Sequence, residues 1–579
     1  MRVSSSSHRP SFVELFTPKL ITVLREGYGL RDLRADALAG LTVAIVALPL
    51  SMAIAIASGV TPERGLTTSI VGGFIVSLLG GSRFQVGGPA GAFIVLVAGT
   101  VAAHGVEGLI LATMLGGLLL VAVGFLRLGT FVKYIPYPVT VGFTGGIAVI
   151  IVASQAKELL GLALVQEPGP LVPKLLALAD ALPSWNGMAV IVALLTLGVI
   201  LVLRRWWPHW PAFVIAVGTA ALLVWAFDWP VETIGSRFGG IPHLLAAPSL
   251  PPISLAKVIE LLPAALSFAL LGSIESLLSA VVADSMTGRR HRSNCELVAQ
   301  GAANIASALF GGFCTTGLIA RTATNVRAGA RGPVAGIFHS LFLLGFMLVA
   351  APLASFLPLS ALAAILALVA WNMVEKRGAA RLLRASRGDA VVLLATFALT
   401  ILQGLSEGIL VGFAISALLF LHRMAQAVHV ERMEPLIEED CPDSMSGVAR
   451  PYDPAVASDR NVVTFRISGA FFFGAAGSVA AVLDRLAESP KAYVIDFAAV
   501  AIIDSTAATT IESFVRKAQR RGAAVYITGT KMPVRRILLT HGVRPPQVRF
   551  RTRLADAVLA AQRELGSPLE APLPADTAA

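Results

Sequence analysis

The sequence predicts a polytopic α-helical membrane protein with fourteen transmembrane segments in a 7+7 inverted repeat, followed by a cytosolic α/β domain. Of its 579 residues, 55% are hydrophobic and only 14% are charged, whereas an average soluble protein has about 25% charged residues. Long apolar stretches require lipid as their solvent. After His422 the chain becomes polar, and strand and helix patterns alternate. This composition excludes a large soluble enzyme, a disordered scaffold and a typical nucleic-acid-binding protein.

Five parts are predicted along the chain. They are a cytoplasmic amino-terminal segment at 1–34, a transmembrane transport domain at 35–422, a linker at 423–460, the α/β domain at 461–566, and a tail at 567–579. Residues 1–34 are polar and basic, so we expect no secretory signal there.

Fourteen apolar blocks are expected to be the membrane segments. They lie at 35–59, 64–80, 88–103, 106–126, 135–156, 187–204, 210–227, 254–283, 294–311, 315–329, 331–352, 354–372, 388–405 and 406–422. A full span needs about 20 apolar residues, and two of these blocks, 88–103 and 315–329, are too short.

The charges of the loops predict the orientation. With the amino terminus inside, the loops on the cytoplasmic side hold most of the arginines and lysines. The other side has only Arg64, Lys157, Lys174, Arg237 and Lys257. This is the positive-inside pattern. It explains the net charge of +11 without a nucleic-acid partner, and it predicts a multi-pass protein of the bacterial inner membrane with both termini in the cytoplasm.

The two short segments occupy matching places, each third in its set of seven. Glycine-rich stretches precede them, Gly80 to Pro89 before the first and Phe310 to Gly312 before the second. Paired, interrupted segments in two halves are typical of inverted-repeat transporters. Helices that begin inside the membrane present unpaired N–H groups that attract an anion. The alternative is two ordinary helices with poorly located ends.

Segment eight contains one charged residue near its middle, Glu275. A charge at that depth costs at least about 2.5–3.5 kcal/mol on insertion scales, so it needs a proton, a partner or a water-lined face. Gly272, Ser276 and Ser279 lie beside it at helical spacing. Glu275 is therefore either a coupling carboxylate, protonated or paired with a cation during transport, or a structural carboxyl satisfied by the bundle.

Arg321 supplies the opposite charge in segment ten. If the helix begins at 315, Arg321 lies about two turns in, roughly 9 Å from the helix start at about 1.5 Å per residue. It either holds an anion or forms a structural salt bridge to Glu275 or another buried acid. The three cysteines are too few for a disulfide framework, and the nine histidines form no metal spacing. We therefore expect no metal, no cofactor and no enzymatic activity.

The run from Leu271 through Glu275 to Asn325 resembles the signature of the SulP anion permeases. The matching pieces are Leu271-Gly-Ser-Ile-Glu275, Gly288-Arg-Arg-His291, Asn294-Cys-Glu296, Gln300-Gly-Ala-Ala-Asn304 and Gly317-Leu-Ile-Ala-Arg321-Thr322. Pro62 to Leu66 and Gln85 to Pro89 resemble that family's second and third segments. Residues after 461 resemble a STAS domain, with Ile503-Asp504-Ser505-Thr506 at its strand-to-helix turn.

The resemblance implies a uracil-permease-like fold, an elevator-type movement and a homodimer. It also implies that segments 3 and 10 meet head to head with the anion between their amino ends. The residues it places at the site are Ala90, Gly91, Ala92, Ser279, Gly317, Leu318, Ile319, Ala320 and Arg321. Backbone N–H groups would hold the anion, Arg321 would add positive potential, and Ser279 would be a site hydroxyl.

Several positions depart from the family pattern. Leu50 follows Pro49 where many relatives have glutamine, and Cys314 replaces a proline. A sodium-coupled bicarbonate branch has aspartate and threonine at the positions of Glu275 and Ser279, and threonine at Ile319. The missing threonine removes a possible oxygen ligand for sodium, which favours protons as the coupling ion.

These observations predict a secondary active anion transporter, with proton-coupled symport as the first hypothesis. Sulfate is the first candidate substrate, and only the resemblance to the SulP family implies it. Bicarbonate and C4-dicarboxylates such as fumarate or succinate are the alternatives. A nucleobase transporter of the same fold and a membrane-anchored STAS signalling protein are two further ones. Ser505 is either a phosphorylated regulatory residue or a helix residue that follows Asp504 as an N-cap.

Overall fold

Helices occupy the places of all fourteen predicted segments in the computed structural model, which describes residues 11–130, 136–164, 171–207, 210–433, 461–484 and 490–565. The chain divides into two units, Met1–Ser416 and Ala417–Ala579. Eight helices among the described residues are long and apolar enough to cross a membrane by length and composition. The architecture is therefore that of a helical membrane domain followed by an α/β domain, and the number of spans stays a prediction.

The helices of the first half follow in chain order. They are α1 Phe12–Phe16, α2 Lys19–Arg25, α3 Leu30–Ala57, α4 Pro62–Thr67, α5 Gly73–Leu79, α6 Ile94–Phe125, α7 Tyr137–Leu160, α8 Leu171–Ala181, α9 Gly187–Trp206, α10 Ala212–Phe227 and α11 Ile234–Phe238. A π-helical turn, Thr68–Gly72, joins α4 to α5, and a 3₁₀ turn, Gly91–Phe93, leads into α6.

The helices of the second half continue the series. They are α12 Leu255–Thr287, α13 Ser293–Leu309, α14 Ile319–Arg327, α15 Val334–Ala354, α16 Leu359–Met373, α17 Lys376–Ala385, α18 Arg387–Leu402 and α19 Leu405–Gln426. Two short strands, β1 Gly87–Gly88 and β2 Thr316–Gly317, precede α6 and α14. The predicted short segments are thus each preceded by extended backbone.

Two boundaries differ from the prediction. Segments 88–103 and 106–126 form one helical run that is broken at Gly105, where φ is 68° and ψ is −176°. Segment ten begins at Ile319 and not at 315, because Thr315 to Leu318 are extended. Arg321 therefore lies in the first turn of α14, and the prediction that it lies two turns into the helix was wrong.

Glycines allow pairs of membrane helices to pack backbone against backbone. A Cβ on Gly117 of α6 would lie 2.7 Å from the carbonyl oxygen of Gly301 in α13, and one on Gly301 would lie 2.5 Å from that of Gly117. Gly40 of α3 meets the backbone of Ala335 in α15 in the same way, at 2.5 Å. Small residues at such crossings are how helices associate closely in lipid.

The second unit carries a mixed sheet in the order β3-β4-β5-β7-β8, with β6 also paired to β4. The strands are β3 His429–Met433, β4 Val462–Phe471, β5 Ala492–Asp496, β6 Val500–Ile503, β7 Ala524–Thr528 and β8 Arg549–Arg551, and the helices are α20 Phe473–Asp484, α21 Ser505–Arg520, α22 Met532–Thr540 and α23 Leu554–Glu564. Among the described strands of this sheet, β3 pairs antiparallel with β4, and all the other pairs are parallel.

Strand β3 lies inside the stretch predicted as a linker. It pairs with β4 from His429↔Ser468 to Met433↔Thr464. Its sequence, His-Val-Glu-Arg-Met, contains three polar residues, so its apolar pattern is weak. The sheet therefore begins before residue 461. The apolar face of α21, including Ile511, Phe514 and Val515, is buried.

Candidate functional site

Two short, buried strands of the membrane domain pair with each other. Strands β1 and β2 pair antiparallel, with Gly87 opposite Gly317 and Gly88 opposite Thr316. The packing leaves no room for side chains, since a Cβ on Gly317 would lie 1.4 Å from Nε2 of Gln85. A Cβ on Gly88 would lie 2.5 Å from Nη1 of Arg321. A side chain at either position would force Gln85 or Arg321 to move, and the pairing joins two segments about 230 residues apart.

Each strand leads directly into the start of a helix. Ala90 and Leu318 are the extended N-cap residues, and neither provides a side-chain cap. Thr322 donates the first backbone hydrogen bond of α14, to Leu318, over 2.9 Å. The N–H groups of Gly91, Ala92, Ile319, Ala320 and Arg321 find no acceptor among the described residues. Two sets of unsatisfied donors therefore flank the crossing strands, which is the electrostatic arrangement of an anion site.

The side chain of Arg321 lies beneath this crossing. It is 2% exposed. Its Nη2 donates to Oγ of Ser51 over 2.8 Å, and its Nη1 donates to Oγ of Ser69 over 3.1 Å. Its Nε finds no hydrogen-bond partner among the residues that the structure describes. Within the described chain, Arg321 forms no salt bridge with Glu275 or any other acid, so the salt-bridge interpretation is wrong. Its charge is solvated by hydroxyl groups and is not cancelled by a neighbouring carboxylate.

Helix α12 attaches to the second strand through its serines. Ser276 Oγ lies 2.7 Å from Oγ1 of Thr316 and accepts the N–H of Gly317 over 3.4 Å. Ser279 donates to Oγ1 of Thr322 over 3.0 Å and is fully buried. Both serines therefore hold β2 and the first turn of α14 in place. The hydroxyl of Ser279 is therefore not free to bind an anion. It contributes to the predicted site by holding Thr322 of α14.

Glu275 lies on the same helix but outside this network. Its side chain is partly exposed, and it forms no hydrogen bond or ion pair with any residue that the structure describes. A carboxyl group at mid-membrane without a fixed partner is available to a mobile ion. The interpretation of Glu275 as a carboxyl satisfied by the bundle therefore has no support from the contacts.

Helix α13 holds both entry loops, a role that the sequence analysis missed. Asn304 donates to the carbonyl oxygen of Thr315 over 2.9 Å and accepts the N–H of Thr315 over 3.0 Å. Glu296 accepts the N–H of Ser82 over 3.0 Å and the amide of Gln300 over 2.9 Å. These polar residues repeat at four-residue spacing, at positions 296, 300 and 304, which is a signal for a polar helix face toward the broken segments.

Two further buried groups were missed. Asp36 of α3 accepts the hydroxyl of Tyr28 over 2.6 Å and the N–H groups of Arg331 and Gly332 over 2.5 and 3.2 Å. It thereby ties α3 to the loop before α15. His339 of α15 is fully buried, and neither ring nitrogen has a partner.

The wall opposite the helix starts is apolar. A Cβ on Gly91 would lie 3.6 Å from Cδ1 of Ile151 in α7 and 3.8 Å from Sδ of Met373 in α16. The exposed residues at the second start are Ile319 and Ala320. No cluster of three or more metal-ligating side chains occurs among the described residues. The arrangement suits binding of an anion by main-chain donors against an apolar wall.

The strand-to-helix turn of the α/β domain is fixed by Asp504. Its Oδ1 accepts the N–H of Ala507 over 2.9 Å, and its Oδ2 accepts the N–H of Phe473 over 2.9 Å. The prediction that Asp504 is a helix N-cap is therefore confirmed. Ser505 is exposed beside it and borders a cavity of about 590 Å³ together with Thr506 and Thr509.

Comparison with known proteins identifies the family of this chain. Residues 33–396 match the Sulfate permease family, and residues 453–557 match the STAS domain. The chain is 38% identical over 523 residues to a Bacillus subtilis (strain 168) protein named "Putative sulfate transporter YvdB", covering 90% of this chain and 95% of that one. It is 32% identical over 518 residues to the bicarbonate transporter BicA of Synechocystis sp., covering 88% and 90%.

The fold is also that of a solved transporter. The murine Solute Carrier 26 family member A9 anion transporter, in its inward-facing state, superposes with a TM-score of 0.83. The match covers 97% of this chain and 96% of the murine chain, at 19% identity. This likeness concerns the fold, and it extends over the membrane domain and the STAS domain.

Proposed function

Because this chain belongs to the sulfate permease family of anion transporters and carries a STAS domain, we propose that it catalyses proton-coupled symport of a small oxyanion, with sulfate as the first candidate. The anion would bind between the starts of the 3₁₀ turn Gly91–Phe93 and of α14. The observation that carries the proposal is the pairing of β1 with β2, which sets two groups of unsatisfied N–H donors beside one another.

We assign different roles in anion binding to the residues of the site. The N–H groups of Gly91, Ala92, Ile319 and Ala320 bind the anion, and Gly317 allows the second helix start to approach. The remaining site residues, Ala90, Leu318, Ser279 and Arg321, position these donors or supply positive potential. Donors that already point at the ligand lose little entropy when it binds, and they are stronger in a low-dielectric site.

Sulfate and bicarbonate are the two substrates that the relatives suggest. The most similar relative given above is named as a sulfate transporter, and the second is named as a bicarbonate transporter. A C4-dicarboxylate is the third candidate. The small residues at the helix starts fit any of them, so the substrate must be decided by measurement. The binding of a neutral nucleobase would not be stabilised by the charge of Arg321, which no carboxylate among the described residues neutralises.

Glu275 is the proposed coupling group. Its carboxyl has no fixed partner, so a proton that neutralises it would lower the cost of moving it through the membrane interior. Ile319 provides no side-chain oxygen for sodium at the helix start, and this supports a proton as the coupling ion.

The cellular setting completes the proposal. The excess of arginine and lysine in alternate loops supports insertion into the bacterial inner membrane with both termini in the cytoplasm. A homodimer is the expected assembly, and an elevator-type shift is the expected movement. Ser505 remains a proposed regulatory position, because it is exposed at the start of α21.

Uptake by purified protein in proteoliposomes tests the proposal directly. Labelled sulfate, bicarbonate and fumarate are supplied side by side, with an inward pH gradient, with an inward sodium gradient, and with neither. We expect accumulation of one of the anions that depends on the pH gradient. Accumulation that requires sodium and ignores pH would overturn proton coupling. Transport of none of the three would overturn the substrate class.

A further inference from the structure

A basic cavity lies at the predicted cytoplasmic end of the membrane domain, apart from the anion site. Its volume is about 430 Å³. It is bordered by Arg83, Phe84, Thr287, Arg289, Ala330 and Arg331. These residues come from three places: the loop before β1, the end of α12 and the loop after α14. The same three elements carry the first helix start, Glu275 and Arg321.

The arginines of this cavity are only partly neutralised. Arg83 forms a bidentate contact with the carboxylate of Glu26. The side chains of Arg289 and Arg331 are exposed and form no hydrogen bond or ion pair with the residues that the structure describes. The cavity therefore offers two free guanidinium groups and a third that shares its charge with one acid.

The other nearby acids are already engaged. Asp284 binds Nδ1 of His291 over 2.7 Å and also accepts that residue's N–H over 3.0 Å. Asp36 accepts the hydroxyl of Tyr28 and backbone N–H groups, including that of Arg331. Neither carboxylate bonds a guanidinium of the cavity, so an added anion would meet uncompensated positive charge.

Two titratable groups that interact with Arg83 have shifted pKa values, and its positive charge contributes to both shifts. The pKa of Lys19 is lowered, first by burial and then by repulsion from Arg292 and Arg83. The pKa of the Glu26 carboxyl is lowered, first by its hydrogen bond with Arg83, with Arg289 contributing at longer range. A positive field lowers the pKa of a base and of an acid alike, so both shifts agree with the count of charges.

The shape of the cavity indicates what kind of anion it binds. Phe84 and Ala330 are buried and give the lining an apolar part, while the side chains of Arg289 and Arg331 are exposed and that of Arg83 is largely buried. Gly329 has a φ of 89° and open space where a Cβ would be, so the loop backbone is accessible. Planar guanidinium groups match phosphate oxygens in pairs, and basic pockets at the cytoplasmic side of membrane helices bind lipid head groups.

We propose that this cavity is a second anion site, which binds the phosphate group of an anionic phospholipid head group or of a soluble phosphate. A bound phosphate would bridge Arg289 and Arg331 and so join the cytoplasmic ends of α12 and α14. Because both helices contribute to the transport site, occupancy would change the transport rate without contact with the transported anion. This inference goes beyond the proposed transport function and does not depend on its substrate.

The test measures binding by the full-length protein purified in detergent. The phospholipid probe is phosphatidic acid against phosphatidylcholine, with retained lipid counted by native mass spectrometry. The soluble probe is labelled inorganic phosphate in equilibrium dialysis, with sulfate as competitor. The lining variant is Arg289→Gln with Arg331→Gln. The matched control is Arg290→Gln with Arg327→Gln, which removes the same charge from the loop after α12 and from the last residue of α14, both outside the lining.

We expect wild type and the control to retain phosphatidic acid or phosphate, and the lining variant to bind about tenfold more weakly for each arginine lost. Retention of the lipid alone identifies a head-group site, and binding of inorganic phosphate identifies a soluble ligand. Equal binding by the lining and control variants would overturn the assignment. Displacement of the probe by equimolar sulfate would also overturn it, because the cavity would then be a general oxyanion site.

Discussion

Replacing Arg321 by glutamine should weaken binding according to the charge of the transported anion. The guanidinium touches Gly88, and Ala90 lies two residues further along an extended chain, about 7 Å away. An anion beside Ala90 is therefore about 8 Å from the charge, where a pair of unit charges contributes about 2 kcal/mol at an effective dielectric constant of about 20.

The predicted loss differs between the candidate substrates. At about 1.4 kcal/mol for each factor of ten, a monovalent anion such as bicarbonate should bind roughly thirtyfold more weakly. For divalent sulfate the interaction doubles to about 4 kcal/mol, and the loss rises to roughly a thousandfold. The ratio between the two losses does not depend on the fraction of correctly folded protein.

The assay is the concentration dependence of uptake, or of competition against a labelled substrate, in proteoliposomes. Arg321→Lys is the matched control, because it keeps the charge but cannot reach Ser51 and Ser69 with two separate nitrogens in the geometry observed. It should bind both anions nearly as well as wild type while unfolding at a lower temperature. Equal losses for the two anions in Arg321→Gln would refute the electrostatic role and leave Arg321 a structural residue.

Three further predictions concern the coupling group, the crossing strands and the STAS domain. Glu275→Gln should fold normally and exchange anion across the membrane but fail to concentrate it against a pH gradient; full accumulation would contradict the coupling role. Gly317→Ala should impair transport strongly, because its Cβ would displace the buried side chain of Gln85, whereas Gly99→Ala, at an open position, should leave transport unchanged. Asp504→Ala should lower the free energy of unfolding of the STAS domain by about 1–2 kcal/mol in thermal unfolding, because α21 loses its N-cap. Ser505→Ala is the control and should leave this free energy unchanged. Equal destabilisation by the two variants would argue against the role of Asp504 as the cap.

The sequence predicts where the membrane helices lie, because apolar composition and loop charge report directly on lipid and on topology. It also identifies the segments that contain the site, since Gly80 to Pro89 and Phe310 to Gly312 cannot continue a helix easily. It misplaces Arg321, because Thr-Thr-Gly-Leu at 315–318 can also be read as the start of a helix. Thr316 and Gly317 form a strand only because they pair with Gly88 and Gly87, which are far away in the sequence.

Contacts between charged and polar groups were harder to predict. Whether Glu275 and Arg321 meet depends on the rotation of α12 and α14, and hydrophobicity alone does not determine this rotation. Asn304 was noticed as part of a motif, yet its two hydrogen bonds to Thr315 depend on a loop conformation that no local pattern encodes. Strand β3 was missed because its partner lies beyond residues 434–460, so its pairing is not a local signal.

If the anion binds as proposed, the pairing of β1 with β2 also constrains how tightly it is held on the two sides of the membrane. Main-chain hydrogen bonds make the two helix starts one stiff piece, so the donors cannot move apart to release their ligand. The affinity that these donors provide for the anion would then be nearly the same whichever side of the membrane the site faces. Any difference in affinity must come from the apolar wall, where Ile151 and Met373 lie opposite Gly91. Transport of the anion against its concentration gradient would thus depend on the coupled proton, and not on a lower affinity of the main-chain donors on one side.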